Sequence, residues 1–512
     1  MEALIDQLVQ QGVQDFCIGS GSRSTPLVLA AANHPQARIH KHLDERALAF
    51  FALGCAQGKS KPTAIIATSG TAIGNLLPAV MEAHHSSTPI IILSADRPGE
   101  LRDTCANQAT DQIKIFQNFT RWQFELDPHM PDKSIRSIAA QAVFRTTADL
   151  GPVHINCPLR EPLYRDIHIE FGKPIELHIA PKQLSQEYPL PSRGVIAIGK
   201  LAKKQELAPI LDLAERLQWP VFADILSNAR LMASREQIRH FHWVLPNAPN
   251  PQCIVHFGDR LLSKRFLEWA PQVPYIHVNG QRHWYDPAAR ITDRIYTDVL
   301  PHFTAPLDPS WLPIWLELDR SASLKINQTM ELRSFTESQI FHHLSSLSWD
   351  KKAFFLGTSM PVREADWFFF PKTGCAFFSN RGLSGIDGNL ATAAGLAEGL
   401  QSPLVAFVGD LTALHDLNSL QLIERSRFPI TLVISNNGGG GIFSHLAVKN
   451  APRFQELFAF EHSIEFQNAA AMFKLPYFRM THLQWPKCDS SCIIEITNSR
   501  PENAAFHQKL TS

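Results

Sequence analysis

Short apolar runs alternate with longer helical patterns along most of the chain. In the first third, FCIGS, RIHKHL, TAIIATS, PIIILSAD and PVHINCP are mostly apolar, with β-branched residues prominent, and end near Gly, Pro or Ser. Such runs predict strands in a well-covered sheet. Between them, ALAFFALGCAQG, AIGNLLPAVMEAHH and SIRSIAAQAVFRTTA repeat apolar residues at helical spacing. The alternation returns with GVIAIG, PVFADI, CIVHFGD and PYIHVNG as strands and LAPILDLAERLQ as an amphipathic helix. It returns a third time with FFLGTS, CAFFSN, PLVAFVGD, PITLVIS and CIIEIT. Strand–helix alternation predicts parallel sheets with helices on both faces. Two Pro-containing stretches, APKQLSQEYPLPSRG near residues 180–194 and PHFTAPLDPSWLP just past 300, interrupt it. The expected class is α/β, with three doubly wound parallel-sheet modules at residues 1–178, 190–305 and 335–512.

Composition narrows the possible partners. At 512 residues the chain is too long for one core, and 45% hydrophobic with 19% charged residues describes a globular interior. Lys plus Arg equals Asp plus Glu, 48 each, so no global field recruits nucleic acid or an acidic membrane. Anion recognition must come from local clusters of Arg and Lys. No apolar run approaches the roughly 18 residues of a spanning helix, so membrane insertion is not expected. The eight cysteines are scattered, and the one close pair, Cys488 and Cys492, has no second pair to complete a zinc site. Reduced thiols and a start, Met1-Glu2-Ala3-Leu4, unlike a secretory leader give the expectation of a cytoplasmic protein.

The densest chemical signal lies in the last third. PLVAFVGD carries Asp410 to the end of a strand, and FPITLVISNN carries Asn436 and Asn437 to the end of another, 26 and 27 positions later. Between them LTALHDLNSLQLIERSR places Leu411, Leu414, Leu417, Leu420 and Leu422 on a helical stripe. This βαβ unit brings a carboxylate and an amide oxygen to the carboxyl edge of a parallel sheet, where such sheets bind ligands. Hard cations take oxygen ligands and keep company with phosphates, so Mg²⁺ bearing a diphosphate suits the pair. Gly438-Gly439-Gly440-Gly441 permits close backbone approach to an anion.

That spacing resembles the diphosphate and metal motif of thiamine diphosphate enzymes, Gly-Asp-Gly followed about thirty residues later by Asn-Asn. Leu411 stands where the general motif has its second Gly, a departure shared by one branch, the 2-succinyl-5-enolpyruvyl-6-hydroxy-3-cyclohexene-1-carboxylate synthases of menaquinone biosynthesis. GDLTALHDLNSL and NNGGGGIF also resemble that branch. The resemblance implies thiamine diphosphate and Mg²⁺, with Mn²⁺ as an alternative ion. It assigns the cofactor to Glu45, Gly409, Asp410, Leu411, Thr412, Asn437 and Ile386, and the metal to Asp410, Asn437 and the Gly439 carbonyl. Pyrimidine-binding, central and diphosphate-binding modules would follow in that order.

Thiamine chemistry needs one carboxyl group against the aminopyrimidine ring, and a buried Glu with a raised pKa suits the task. In HLDERALAFFALG the resemblance assigns this role to Glu45, with Asp44 as the neighbour most easily confused with it. Strand-end turns offer Ser22, Arg23, Arg97, Asn107 and Gln108 in the first module, Lys264 and Arg265 in the second, and Ser359, Arg363 and Arg381 in the third. The resemblance makes these substrate-binding residues, walled by Ile442 and Phe443. Ile386 would be the apolar wedge beneath the cofactor, and Thr358 stands where the family phrase has Asn. The implied reaction joins 2-oxoglutarate to isochorismate with loss of CO₂. Up to four carboxylates must be recognised, and six cations (Arg23, Arg97, Lys264, Arg265, Arg363, Arg381) answer that need better than a pyruvate or aldehyde enzyme would require. The family also implies that Glu45 of one subunit meets Asp410 of another, making a dimer the minimal unit and admitting a tetramer.

Overall fold

A computed structural model describes residues 1–511 apart from 128, 167, 174, 176–186, 203–204, 282, 284, 332–334, 350–351 and 372–373. The first sheet contains β1 (Asp15–Ile18), β2 (Arg38–Lys41), β3 (Thr63–Ala67), β4 (Ile90–Asp96), β5 (Trp122–Glu125) and β6 (Val153–Pro158). A short β7 (Glu187–Pro189) precedes the second sheet, of β8 (Gly194–Ile198), β9 (Val221–Ala223), β10 (Cys253–Phe257), β11 (Tyr275–Val278) and β12 (Asp293–Ile295). After β13 (His302–Thr304), which pairs with β7, the third sheet contains β14 (Ala353–Leu356), β15 (Ala376–Phe378), β16 (Leu404–Gly409), β17 (Ile430–Asn436), β18 (Tyr477–Met480) and β19 (Cys492–Thr497). All named strand pairings are parallel.

The first sheet runs β2-β1-β3-β4-β6-β5 and the third β15-β14-β16-β17-β19-β18. Counted from its own first strand, each has the same order. The second runs β12-β11-β10-β8-β9. In the outer two sheets the central strands are the near-continuous apolar runs, buried along nearly their whole length, because helices cover both faces.

Structure and expectation part in several places, among them the short strands β7 and β12, which no apolar run marked. Edge strands β5 and β18 were not foreseen, since WQFE and YFRM are short, mix polar with aromatic residues and stay partly exposed. The stretch just past 300 is not merely a break. It contains β13 and then the Trp311–Met330 helix, whose Pro313 sits in the first turn, where a missing N–H costs little. The expected helix after Asp410 divides into Asp410–His415 and Leu420–Glu424 around a 3₁₀ turn at Leu417–Ser419. Buried Asp416 explains the division: its carboxylate accepts from Ser419 Oγ at 2.7 Å and from Ala391 N–H at 3.0 Å. Residues 180–186 of the expected linker, and the module limit at 178, lie outside the described residues.

The first and third modules share one core. The Glu45–Lys59 helix crosses the Asn389–Leu400 helix at Gly54 and Gly58 on one side and Gly395 and Gly399 on the other. A Cβ on Gly54 would overlap the Thr392 carbonyl, and one on Gly395 would overlap that of Phe51. The second module docks through Arg230, which pairs with Asp366 at 2.8 Å, and through Ile225 N–H, which donates to the same carboxylate at 3.0 Å.

Candidate active site

β16 and β17 lie side by side, with Gly409 opposite Ser435, so Asp410 and Asn437 emerge together. Asp410 is 2% exposed. Its Oδ1 accepts from Leu411 N–H at 2.6 Å, and its Oδ2 from Asn437 N–H at 3.1 Å and Gly439 N–H at 2.9 Å. Burial raises its pKa against these donors and against His462, whose Nε2 stands 3.3 Å from Oδ2. Gly438 and Gly439 adopt φ of 72° and 144°, open to glycine and strained for other residues. Thr412 is buried one turn into the helix.

The two asparagines differ sharply. Asn436 is fully engaged: Nδ2 donates to Glu495 Oε1 at 2.6 Å and Ile464 O at 2.8 Å, while Oδ1 accepts from Gly438 N–H at 3.2 Å. Asn437 donates through Nδ2 to Glu337 Oε1 at 3.2 Å, and its Oδ1 is buried without a hydrogen-bond partner among the described residues. An orphaned amide oxygen is costly unless a cation or another donor takes it up. Asp410 and Asn437 therefore fit a hard cation. Among the described residues no cluster of three His, Cys, Asp or Glu side chains offers a different metal site.

Asp44 and Glu45 separate just as clearly. Asp44 caps the Glu45–Lys59 helix, its Oδ1 accepting from Arg46 N–H at 2.9 Å and Ala47 N–H at 3.4 Å, and its Oδ2 from Asn418 Nδ2 at 2.6 Å. Burial opposes its ionisation, but Asn418, the two N–H groups and Arg46 hold its pKa below the usual value. Glu45 is half-buried within the single chain rather than buried, and has no hydrogen-bond or ion-pair partner among the described residues. Its stem lies over Gly19 at the end of β1, where a Cβ would come within 3.1 Å.

The substrate candidates fall into groups. Arg97 donates to Ser69 Oγ at 2.5 Å and Asn107 O at 2.9 Å, and Gln108 donates to Ser69 O at 2.9 Å. Arg23 donates to Leu159 O at 2.9 Å and pairs with Glu161. Burial, then the charge of Arg23, lowers the pKa of Arg97, so this edge holds two neighbouring guanidinium groups. Ser22 opens the 3₁₀ turn beside Arg23.

In the third module Arg363 donates to Ser359 O. Arg381 Nη1 is buried with no hydrogen-bond partner among the described residues. Burial, then Arg363 and Arg260, brings the Arg381 pKa down to about 10, and burial with Arg260 lowers that of Arg363. Arg260 ends the CIVHFGDR run and was missed because one Arg after a strand carries no signal by itself. Lys264 is not brought to this trio: it is largely exposed and pairs with Glu268 at 3.0 Å. Arg265 lies 4.9 Å over the Trp243 ring and donates to His242 O at 3.2 Å.

The loop carrying Arg381 and Ile386 is held from both sides. Buried Glu82 of the first module accepts from Gly382 and Leu383 N–H, each at 2.7 Å. Thr358 Oγ1 donates to Gly385 O at 3.1 Å, which gives that departure from the family phrase a definite role. Ile386 is 37% exposed. A cavity of about 480 Å³ borders Gly385 and Asp387 on either side of it, with Phe50, Met81 and Glu82 opposite. Ile442 and Phe443 are half-buried in the 3₁₀ turn after the glycine loop. Glu82, Glu337 and His462 were also missed, because each acts on a segment distant in the chain.

Residues 1–115 match the family model described as thiamine pyrophosphate enzyme, N-terminal TPP binding domain, and residues 175–356 match the middle domain of thiamine pyrophosphate. Fold, strand-end oxygens and these matches define a thiamine diphosphate-dependent enzyme. Three relatives are each named 2-succinyl-5-enolpyruvyl-6-hydroxy-3-cyclohexene-1-carboxylate synthase. The Aeromonas salmonicida (strain A449) protein is 37% identical over 94% of this chain and 89% of its own length. Those of Rubrobacter xylanophilus (strain DSM 9941) and Bacillus velezensis (strain FZB42) are each 34% identical over 99% of this chain and 96% of their own. The chain belongs to the 2-succinyl-5-enolpyruvyl-6-hydroxy-3-cyclohexene-1-carboxylate synthase family.

Proposed function

We propose that this enzyme joins 2-oxoglutarate to isochorismate, with loss of CO₂, to form 2-succinyl-5-enolpyruvyl-6-hydroxy-3-cyclohexene-1-carboxylate for menaquinone biosynthesis in the cytoplasm. The observation that carries the reading is the pair of guanidinium clusters, Arg23 with Arg97 and Arg260 with Arg363 and Arg381, in a chain of zero net charge. Guanidinium groups kept close against their mutual repulsion are matched to a substrate with several carboxylates.

Bound thiamine diphosphate supplies the electron sink for decarboxylating a 2-oxo acid. The chain's residues bind, orient and move protons around it. Asp410, Asn437 and the Gly439 carbonyl would hold Mg²⁺ or Mn²⁺, with Gly409, Leu411 and Thr412 beside the diphosphate. Glu45 would hold a proton at the pyrimidine ring nitrogen, and Ile386 would support the cofactor from below. Ser22, Asn107, Gln108 and Ser359 would orient substrate oxygens beside the arginines, with Ile442 and Phe443 excluding water. Lys264 and Arg265 remain assigned to substrate through the resemblance. The modules at 1–178, 190–305 and 335–512 take the pyrimidine-binding, central and diphosphate-binding roles.

Within one chain the start of the Glu45–Lys59 helix meets the far end of the Asp410 segment: Arg46 donates to His415 O at 3.0 Å and Asp44 accepts from Asn418. Glu45 itself is left half-buried, with Leu43 beside it 74% exposed. This open edge supports a dimer in which a second copy would cover it, and a tetramer built from two such dimers.

The test is incubation of the purified protein with thiamine diphosphate, Mg²⁺, 2-oxoglutarate and isochorismate, following isochorismate loss and product mass. Product should require all four additions. Turnover of pyruvate in place of 2-oxoglutarate, with isochorismate untouched, would overturn the reading.

A further inference from the structure

Glu337 is a buried carboxylate to which the reaction as described gives no work. It is the first residue of the Glu337–Leu344 helix and 3% exposed. Its Oε1 accepts from Ser435 Oγ at 2.6 Å. Ser435 Oγ accepts from Asn498 Nδ2 at 2.8 Å, Asn498 Oδ1 from Asn503 Nδ2 at 2.9 Å, and Asn503 Oδ1 from Glu337 N–H at 3.1 Å. These four residues close a ring of hydrogen bonds across the end of β17, the turn after β19, the Arg500–Thr511 helix and the Glu337–Leu344 helix. The ring holds Glu337 at its backbone N–H and, through Ser435, at Oε1, so Glu337 Oε1 is a stationary acceptor.

One further donor reaches that oxygen, Asn437 Nδ2 at 3.2 Å. An amide has a donor end and an acceptor end on one planar group, whereas Glu337 Oε1 already accepts from Ser435 Oγ and faces Asn437 as an acceptor. Turning Asn437 over would set its Oδ1 against Glu337 Oε1, oxygen against oxygen. Glu337 therefore selects one amide orientation and turns Oδ1 away, and that atom is buried with no partner among the described residues. Asn436 shows the contrast, since both ends of its amide are consumed within the protein.

We propose that Glu337 is a positioning residue for the divalent cation, fixing the Asn437 amide with its oxygen presented to the ion before the ion arrives. The proposal rests on the reading of Asp410, Asn437 and Gly439 as cation ligands. Partners that orient metal ligands from behind govern affinity by about 10–100-fold.

The test measures Mn²⁺ affinity of the full chain with saturating thiamine diphosphate, by electron paramagnetic resonance of free Mn²⁺. Glu337→Leu removes the acceptor and should weaken Mn²⁺ by about 10–100-fold. Glu337→Gln keeps an acceptor oxygen at the same reach and should stay within about threefold of wild type. In an Asn437→Asp background Glu337→Gln should no longer be near-neutral: the new Gln N–H can donate to the aspartate, so Mn²⁺ should bind about tenfold tighter than in Asn437→Asp alone. That coupling decides the matter even if Glu337→Leu does not fold. Wild-type affinity in folded Glu337→Leu, or no coupling between the two positions, would overturn the proposal. Asp410→Ala is the control: if it alone abolishes Mn²⁺ binding, only the positioning role has failed, whereas unchanged binding there sinks the cation site itself.

Discussion

Asp44 and Glu45 differ by one methylene group, yet the fold gives them separate work. Asp44 is spent on capping a helix and gripping Asn418, while Glu45 keeps an unengaged carboxylate over Gly19. Glu45→Gln preserves shape but cannot cycle a proton. Turnover should fall on the order of 100-fold or more while thiamine diphosphate affinity, read by tryptophan quenching, changes little. Near-normal turnover would remove Glu45 from its assigned role. Asp410→Ala should do the reverse to binding, weakening Mg²⁺ and thiamine diphosphate together by at least about tenfold in titration calorimetry. At this scale the sequence placed Asp410 and Asn437, 27 positions apart, at strand ends that the fold sets side by side. It could not show that Asn437 rather than Asn436 has the free oxygen, because Glu337 and Glu495 decide that from 100 and 59 residues away.

At the scale of elements, the crossing of two glycine-bearing helices holds the first and third modules in register. Gly395 sits against the Phe51 carbonyl with no room for a methyl group. Gly395→Ala should therefore cost about 1–3 kcal/mol in urea unfolding, because the crowded atom is backbone and cannot rotate aside. A neutral substitution would show that the crossing is looser than it looks. The sequence marked the Glu45–Lys59 helix through ALAFFALGCAQG, but the Asn389–Leu400 helix and its crossing of the first were not foreseen. It also ran one helix through residues 411–422, where buried Asp416 prefers Ser419 Oγ and Ala391 N–H and divides it. Leu periodicity reports which face is apolar, not where a buried side chain interrupts the hydrogen-bond ladder.

The C-terminal helix Arg500–Thr511 reaches back to the start of the third module through His507, whose Nε2 lies 2.5 Å from Glu364 Oε1. Burial would lower the His507 pKa, but the Glu364 charge and hydrogen bond outweigh it and the net shift is upward. The pair's contribution is then complete below the unfolded value of about 6.5 and fades as pH rises through the higher folded value. His507→Gln should cost more stability near pH 5.5 than near pH 9, compared by urea unfolding. Equal losses would mean that the imidazole is neutral in the folded chain.

Across the whole molecule, the proposed sharing of sites between subunits makes a mixing experiment decisive. Glu45→Gln and Asp410→Ala should each be inactive alone. Unfolded and refolded together, they should regain up to about a quarter of wild-type activity, since half the dimers are mixed and each has one intact site. No recovery, with mixed dimers demonstrated by tagged pull-down, would place both residues in one chain's own site.

Three parallel α/β sheets and the strand ends that carry Asp410 and Asn437 were determined by the sequence alone. Apolar runs and helical periods are local consequences of burying side chains, and they survive in one dimension. Only the tertiary structure decided that, among the described residues, Asn437 Oδ1, the Glu45 carboxylate and Arg381 Nη1 beside Arg363 and Arg260 have no hydrogen-bond partner. Whether an atom is satisfied depends on segments scores or hundreds of residues away, and no local pattern of apolar and polar positions records that.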